Sequence, residues 1–518
     1  MSTVNVETTY GKIAGTMERR VFTFKGVPYG AATSGKRRFL PPVPPEPWPK
    51  VRYCTDYGPI SPQTGALADC VEAAGDERIM GMRRHLPENE DCLVLNVWTP
   101  AVGDGGKRPV MVWLHGRGYD SGAGSETMYN GANLARRGNL VVVTINHRLN
   151  VFGYLHLADI GGAEFAGSGV AGMLDAVLAL KWVRDNIAAF GGDPGNVTIF
   201  GESGGGSKVS TLLALPSAKG LFHRAIIESG PGLRGVEAKD ATAFAERLLA
   251  ELNIKPSEVG KLQGLSIRQV QDAMRKLVPG RSGFGMGDPG GLTRRLAPVV
   301  DGKFYPNHPF DPIAAPTAAG IPIIVGTNRH ENATFLTTDP KRRRLTEPEL
   351  RERLTPLLGD KADKVIGTYK RTRPDATPWD LFVALTSEGT RRASIALAER
   401  KAAGSPAPVF MYLFTWETDY LGDMFRACHV LEIPFVFDTV DDIALTGGRP
   451  DKYDLLESVS GAWIAFARSG NPNHARIPRW EPYSAEKRST MILDVPCRLE
   501  VDPYREEMAA WEGIPLRR

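Results

Sequence analysis

The segment Phe200-Gly201-Glu202-Ser203-Gly204-Gly205 restricts what this chain can fold into more than any other. It sets Gly-x-Ser-x-Gly between an apolar run, Val197-Thr198-Ile199-Phe200, and Lys208-Val209-Ser210-Thr211-Leu212-Leu213-Ala214-Leu215, which can begin a helix. A strand that reverses into a helix within so few residues forces the serine into a strained backbone conformation. Only small residues two before and two after it avoid clashes, and Gly201 and Gly205 fill those places. The helix N-terminus then brings backbone N–H groups and the positive end of the helix dipole beside the hydroxyl. Alone, the motif is short enough to be a glycine-rich turn. Strand, elbow and helix together make Ser203 the candidate nucleophile.

Short apolar runs recur along the chain. Residues 110–114, which end at His115-Gly116, read as a strand buried on both faces, as do 140–146, 225–227, 322–325 and 409–414. Between Asp175 and Phe190 the positions Val177, Leu178, Leu180, Trp182, Val183 and Ile187 keep roughly helical spacing, and residues 191–196 terminate that helix. Strands alternating with helices argue an α/β fold with a large central, mostly parallel (mixed) sheet flanked by helices. Residues 236–281 and 347–370 read as helical insertions over the sheet. With no internal repeat and no low-complexity linker, residues 1–518 are expected to form a single domain.

Charge excludes several function classes. The 63 basic and 59 acidic residues leave a net charge of +4, which gives no electrostatic footprint for nucleic acid or an acidic membrane. The run Lys341-Arg342-Arg343-Arg344 reads as a solvated loop. No apolar run is long enough to span a bilayer, and the N-terminal residues lack the basic and apolar regions of a secretory signal. The cysteines, Cys54, Cys70, Cys92, Cys428 and Cys497, form no Cys-x-x-Cys pair, so neither a zinc site nor a redox motif is indicated. The expectation is a cytoplasmic protein with reduced, mostly buried thiols.

The stretch Asn186-Ile187-Ala188-Ala189-Phe190-Gly191-Gly192-Asp193-Pro194-Gly195-Asn196-Val197-Thr198-Ile199-Phe200-Gly201-Glu202-Ser203 resembles the signature of type-B carboxylesterases, the α/β-hydrolase group that includes the cholinesterases. Phe24-Lys25-Gly26-Val27-Pro28-Tyr29, Glu90-Asp91-Cys92-Leu93-Val94-Leu95-Asn96-Val97, Asn146-His147-Arg148-Leu149-Asn150, Ala462-Trp463-Ile464-Ala465-Phe466-Ala467 and Gly470-Asn471-Pro472-Asn473 fit as well. The resemblance runs from Tyr10 to Trp511. It implies an α/β-hydrolase fold and hydrolysis of small-molecule carboxylic esters through an acyl-enzyme, with no cofactor and no metal.

A serine hydroxyl is a poor nucleophile until a base takes its proton, and the base needs an orienting acid. In such folds the chain order is Ser, acid, His. His308, His330, His429 and His474 follow Ser203 at sufficient distance. His429, in Ala427-Cys428-His429-Val430-Leu431-Glu432-Ile433-Pro434-Phe435, resembles the family's catalytic-His segment. Glu331, in Gly326-Thr327-Asn328-Arg329-His330-Glu331-Asn332, resembles the family's acid loop Gly-x-Asn-x-Asp-Glu-Gly, with His330 and Asn332 as departures that leave the carboxylate in place. Asp301 and Asp438 are the competing acids: the first resembles a structural turn of the family, and the second lies too near His429. The resemblance gives Ser229 and Glu202 supporting roles around the triad.

Acyl transfer also needs N–H donors aimed at the developing oxyanion. Gly204, directly after the nucleophile, offers one. Where the family has His-Gly-Gly-Gly and an aromatic residue, this chain has His115-Gly116-Arg117-Gly118-Tyr119, which makes Arg117 and Gly118 the other donors. The β-carbon of Arg117 restricts the loop to conformations open to an L-residue. Its guanidinium either meets an anionic group of the substrate, with Tyr119 nearby, or turns away to a structural acid. Many relatives pair Cys92 with an upstream cysteine, but Gly58-Pro59-Ile60-Ser61-Pro62-Gln63 has Ser61 at that place; Cys70 is the remaining partner, and both thiols are expected free.

The leading expectation is a serine carboxylesterase. Amide or carbamate cleavage by the same triad is the alternative, since the leaving-group pocket decides between them. A non-catalytic binding protein of the same fold would lack the nucleophile or its partners, which are all present here. Residues 283–287 and 379–382 are candidates to line the entrance.

Overall fold

The computed structural model describes residues 3–63, 79, 81, 86–277, 296–337, 339–342, 344–422 and 424–516. Its strands are β1 (Val4–Thr8), β2 (Gly11–Glu18), β3 (Val21–Pro28), β4 (Arg52–Tyr53), β5 (Val94–Thr99), β6 (Arg108–Leu114), β7 (Val141–Ile145), β8 (Gly192–Glu202), β9 (Arg224–Glu228), β10 (Val236–Glu237), β11 (Val299–Val300), β12 (Ile323–Asn328), β13 (Val409–Phe414), β14 (Ser489–Leu493) and β15 (Arg498–Val501). All but the β10–β11 pair join one sheet in the order β1-β2-β3-β5-β7-β6-β8-β9-β12-β13-β14-β15, with β4 beside β2. The seven neighbours from β7 to β14 run parallel, and antiparallel strands close both ends.

The apolar runs explain this arrangement. Side chains alternate across a strand, so a strand that is apolar at every position must bury both faces. Along β6, Met111 and Trp113 enter one core while Val110, Val112 and Leu114 enter the other. Along β12 and β13, Ile324, Phe410 and Tyr412 take the first side, and Ile323, Val325, Val409 and Met411 take the second. Helices α1 (Ala171–Asn186), α2 (Gly204–Leu212), α3 (Ala238–Glu251), α4 (Ile267–Leu277), α5 (Glu347–Leu358), α6 (Ala362–Thr372), α7 (Pro378–Ala403) and α8 (Lys452–Ser469) surround the sheet. Helices α3 and α4 form a separate small core with residues such as Phe152 and Phe165, the expected helical insertion.

Two boundaries differ from the sequence reading. Helix α1 ends at Asn186, because residues 187–190 tighten into a 3-10 turn and Gly191 reverses the chain at φ +74°. Strand β8 then begins at Gly192 rather than after residue 196: Gly192 pairs with Arg108, and an irregularity absorbs the turn-like residues before Val197 meets Val110. Strands β1, β2 and β15 carry no continuous apolar run. They lie at the sheet's ends, with exposed positions along each. Among the described residues, no single helix is long and apolar enough to cross a membrane.

Trp113 is the hinge of the first core. It is fully buried, with ring centroids at 4.8 Å from Phe200, 4.9 Å from Tyr129 and 5.0 Å from Phe437. Trp113→Ala is expected to lower the unfolding free energy by about 3–5 kcal/mol, the cost of an unfilled aromatic cavity. Guanidinium titration reads this directly, and a loss below about 1 kcal/mol would contradict the packing described.

Candidate active site

Strand β8 delivers Ser203 to the sheet edge, and α2 begins at the next residue. Ser203 holds φ 56° and ψ −121°, a conformation that costs on the order of 1–3 kcal/mol and survives only where its surroundings enforce it. Its N–H donates to the Glu228 carbonyl at 2.8 Å, and its own carbonyl accepts from Ser207 N at 3.1 Å. A β-carbon on Gly201 would lie 2.6 Å from the Leu114 carbonyl, and one on Gly205 would collide with that same oxygen. The glycines are thus required by close approach of β6. The serine itself is only partly buried.

The acid and the imidazole come from two neighbouring loops. After β12 the chain runs to His330, whose N–H donates to the Ala427 carbonyl at 2.9 Å and which bridges to Cys428 as a short parallel pair. That backbone clamp brings Glu331 to His429, with Oε2 2.5 Å from Nδ1. The other oxygen, Oε1, accepts from the Thr327 hydroxyl and from Asn328 N at 2.8 Å. Each carboxylate oxygen therefore has its own task, one held by the scaffold and one holding the ring. A carboxylate on Nδ1 fixes the proton there and leaves Nε2 as the acceptor. Nε2 faces the elbow, 3.2 Å from Glu202 Oε1 without an aligned hydrogen bond, while the ring packs on Phe335 at 5.1 Å.

Four buried glutamates share this interior: Glu202, Glu228, Glu331 and Glu432. Burial opposes ionisation of all of them, but at Glu331 the facing His429 and the hydrogen bonds of Thr327 and Ser229 outweigh it and hold the carboxyl below its ordinary range. Burial, then repulsion from Glu432, Glu331 and Glu228, pushes Glu202 well up. Burial likewise lifts Glu228 and Glu432 to about 8. Ser229 Oγ lies 3.3 Å from Glu432 Oε1 and also contacts Glu331, so it links the two carboxyls. Asn328 Nδ2 donates to Glu432 Oε2 at 2.5 Å and to the Cys428 carbonyl at 2.6 Å. Trp463 Nε1 donates to Glu228 Oε1 at 2.9 Å.

The loop after β6 lies against the elbow. A β-carbon on Gly204 would strike the backbone of Gly118, and one on Gly116 would sit 3.1 Å from the Glu202 carbonyl and 3.6 Å from Ser203 Cβ. Arg117 takes φ +66° and Gly118 φ +61°, so the residue in a glycine's place adopts the left-handed conformation that glycine favours. Among the described residues, the N–H groups of Arg117, Gly118 and Gly204 donate to no protein acceptor. The Arg117 guanidinium lies 3.3 Å from Glu126, which is buried; of the two readings, this contact corresponds to the structural acid. Tyr119 turns its hydroxyl toward Thr211 at 3.4 Å and sets its ring edge-on to Tyr154.

The remaining candidates lie elsewhere. Asp301 Oδ1 caps its own turn, accepting from the N–H groups of Lys303, Phe304 and Tyr305, and Asp438 pairs with Arg137. His308 faces Glu237, and His474 contacts the Ser458 carbonyl. Cys54, Cys92, Cys428 and Cys497 are free and buried, while Cys70 and residues 283–287 lie outside the described residues. Trp379 and Phe382 open α7, their rings 5.8 Å apart. Sequence reasoning missed Thr327, Asn328, Glu228 and Glu432 as members of the site. Each stood inside or beside a quoted motif, and the signal was that these polar residues interrupt otherwise apolar strand ends and turns.

The chain matches the model of the carboxylesterase family over residues 2–511. It is 37% identical over 508 residues to the para-nitrobenzyl esterase of Bacillus subtilis (strain 168), covering 97% of both chains. It is 32% identical to liver carboxylesterase 1 of Oryctolagus cuniculus, covering 92% of this chain and 87% of that one. Among solved structures, a carboxylesterase of Geobacillus stearothermophilus superposes with a TM-score of 0.82 at 38% identity, covering 98% of this chain and 100% of the other.

The lifted carboxyls give stability a defined pH dependence. Glu228 moves from an ordinary 4.5 to about 8 on folding, so its contribution is fully present below the unfolded value and is lost as pH rises through about 8. Glu228→Gln keeps an acceptor for Trp463 and removes the ionisation. Its unfolding free energy is expected to decline less than that of the wild type between pH 5 and pH 8 in denaturant titrations. Parallel declines would contradict a neutral Glu228.

Proposed function

This chain belongs to the carboxylesterase family and is a carboxylic ester hydrolase with the α/β-hydrolase fold, and from that premise we propose that Ser203, His429 and Glu331 are its catalytic triad. Ser203 Oγ attacks the ester carbonyl while His429 Nε2 takes its proton. The N–H groups of Arg117, Gly118 and Gly204 receive the developing oxyanion. His429 then protonates the departing alcohol, which leaves an acyl-enzyme on Ser203. Water attacks the acyl carbon with His429 again as base, and the acid is released. Glu331 stays ionised throughout and compensates the imidazolium. Ser229 acts through Glu331 and Glu432, and Glu202 keeps a neutral carboxyl beside Nε2.

The observation that carries this reading is the 2.5 Å contact of Glu331 with His429 Nδ1, with Nε2 turned to the elbow that presents Ser203. That these three N–H groups meet no protein acceptor among the described residues supports the oxyanion assignment. A small-molecule ester is the substrate class, as the names of the relatives indicate.

Mixed rapidly with a 4-nitrophenyl ester, the enzyme is expected to release a burst of nitrophenolate equal to its concentration before steady turnover. Ser203→Ala and His429→Ala are expected to lose the burst and to lower kcat at least about 10⁴-fold, with Glu331→Gln nearer 10³- to 10⁴-fold. A full burst in Ser203→Ala would overturn the assignment.

A further inference from the structure

Lys208 is a fully buried lysine that the triad chemistry leaves unused. It sits on α2 four residues after Gly204, and residues i and i+4 share a helix face. The face that presses Gly204 against Gly118 therefore also carries Lys208 to the base of the same loop. Its Nζ donates to the His115 carbonyl at 2.8 Å and lies 5.5 Å from the centre of the Tyr119 ring, and the charge of Asp120 favours its protonated form. These contacts bracket Arg117 and Gly118 on both sides. On the neighbouring segment after β7, His147 stacks on His115 with centroids 4.8 Å apart. Burial, then the Lys208 charge, holds both imidazoles well below their ordinary range and hence neutral. The titratable groups facing the ammonium are thus His115, Tyr119 and Asp120 from the loop and His147 from beyond β7.

We propose that Lys208 is a positioning residue: its ammonium, bonded to the His115 carbonyl, locks the loop so that the N–H groups of Arg117 and Gly118 converge with that of Gly204. This rests on the oxyanion reading above. A charge-assisted bond is roughly twice as strong as a neutral one, and a neutral amine grips the carbonyl correspondingly less. Burial presses the Lys208 ammonium down from 10.5 to about 7, so the lock is present at lower pH and weakens as pH rises. Transition-state stabilisation by the loop then falls on the alkaline side, with substrate affinity little changed.

Paired oxo and thiono esters of the same acid and alcohol isolate the effect, because sulfur accepts hydrogen bonds poorly and the rate ratio reports on the oxyanion donors. In the wild type, the oxo-to-thiono ratio of kcat is expected to fall as pH rises through the Lys208 ionisation. In Lys208→Met, kcat for the oxo ester is expected to fall about 10- to 100-fold with KM within about threefold. The ratio there should be low at every pH, and Lys208→Arg, which keeps its charge, should hold a pH-independent ratio above that of the methionine variant. A wild-type ratio that is high and constant across pH overturns the proposal even if no variant folds, as does a methionine variant that keeps the wild-type ratio and profile. A wild type with no oxo preference at any pH overturns instead the oxyanion assignment on which it stands.

Discussion

The reversal at Ser203 is the constraint on which the site depends. A residue held at φ 56° and ψ −121° would relax unless every neighbour forbade it. Here the forbidding neighbours are backbone: the Leu114 carbonyl against Gly201 and Gly205, Gly118 against Gly204, and the Glu228 carbonyl on the serine N–H. Three adjacent strands, β6, β8 and β9, thus converge on one turn. Because the packing is main chain on main chain, it fixes Ser203 and the N–H groups of Gly118 and Gly204 together. The central strands keep that register because both faces are filled, with Trp113, Phe200 and Phe437 on one side.

Electrostatics adds a second layer. One ionised carboxylate serves the imidazole, and three more carboxyls stand within the same interior. Were all four charged, they would repel one another in an interior that screens charge poorly. Burial resolves the conflict by choosing which group ionises. Glu331 has the imidazole at 2.5 Å and two donors on Oε1, whereas Glu228 has a single Trp463 bond. The same logic separates the cations: Arg117 is compensated by Glu126, and Lys208 by a carbonyl, an aromatic face and Asp120.

How much of this was legible in the sequence follows from the range of each interaction. The elbow was legible because its sterics are local: glycines two residues away announce it. The proposed triad follows an order of motifs in the sequence, yet the clamp that joins the Glu331 and His429 loops, the His330 to Cys428 bridge, involves backbone groups that carry no residue signature. Arg117 was visible as a lost glycine, but its partner Glu126 is set by how the loop closes. Lys208 read as an ordinary residue near a helix start, and only the packing of α2 beneath the loop buries it. Residues 192–196 read as a terminator because turn residues dominate them, although the sheet carries them across an irregularity as strand.

The central claim is that Ser203, among several hydroxyls close to the elbow, is the one activated. The most direct measurement is peptide mapping by mass spectrometry after stoichiometric reaction with a fluorophosphonate. The account predicts one adduct per chain, on the peptide containing Ser203 and at that residue. An adduct confined to Ser207 or Ser229, or no adduct on an enzyme still turning over esters, would contradict it.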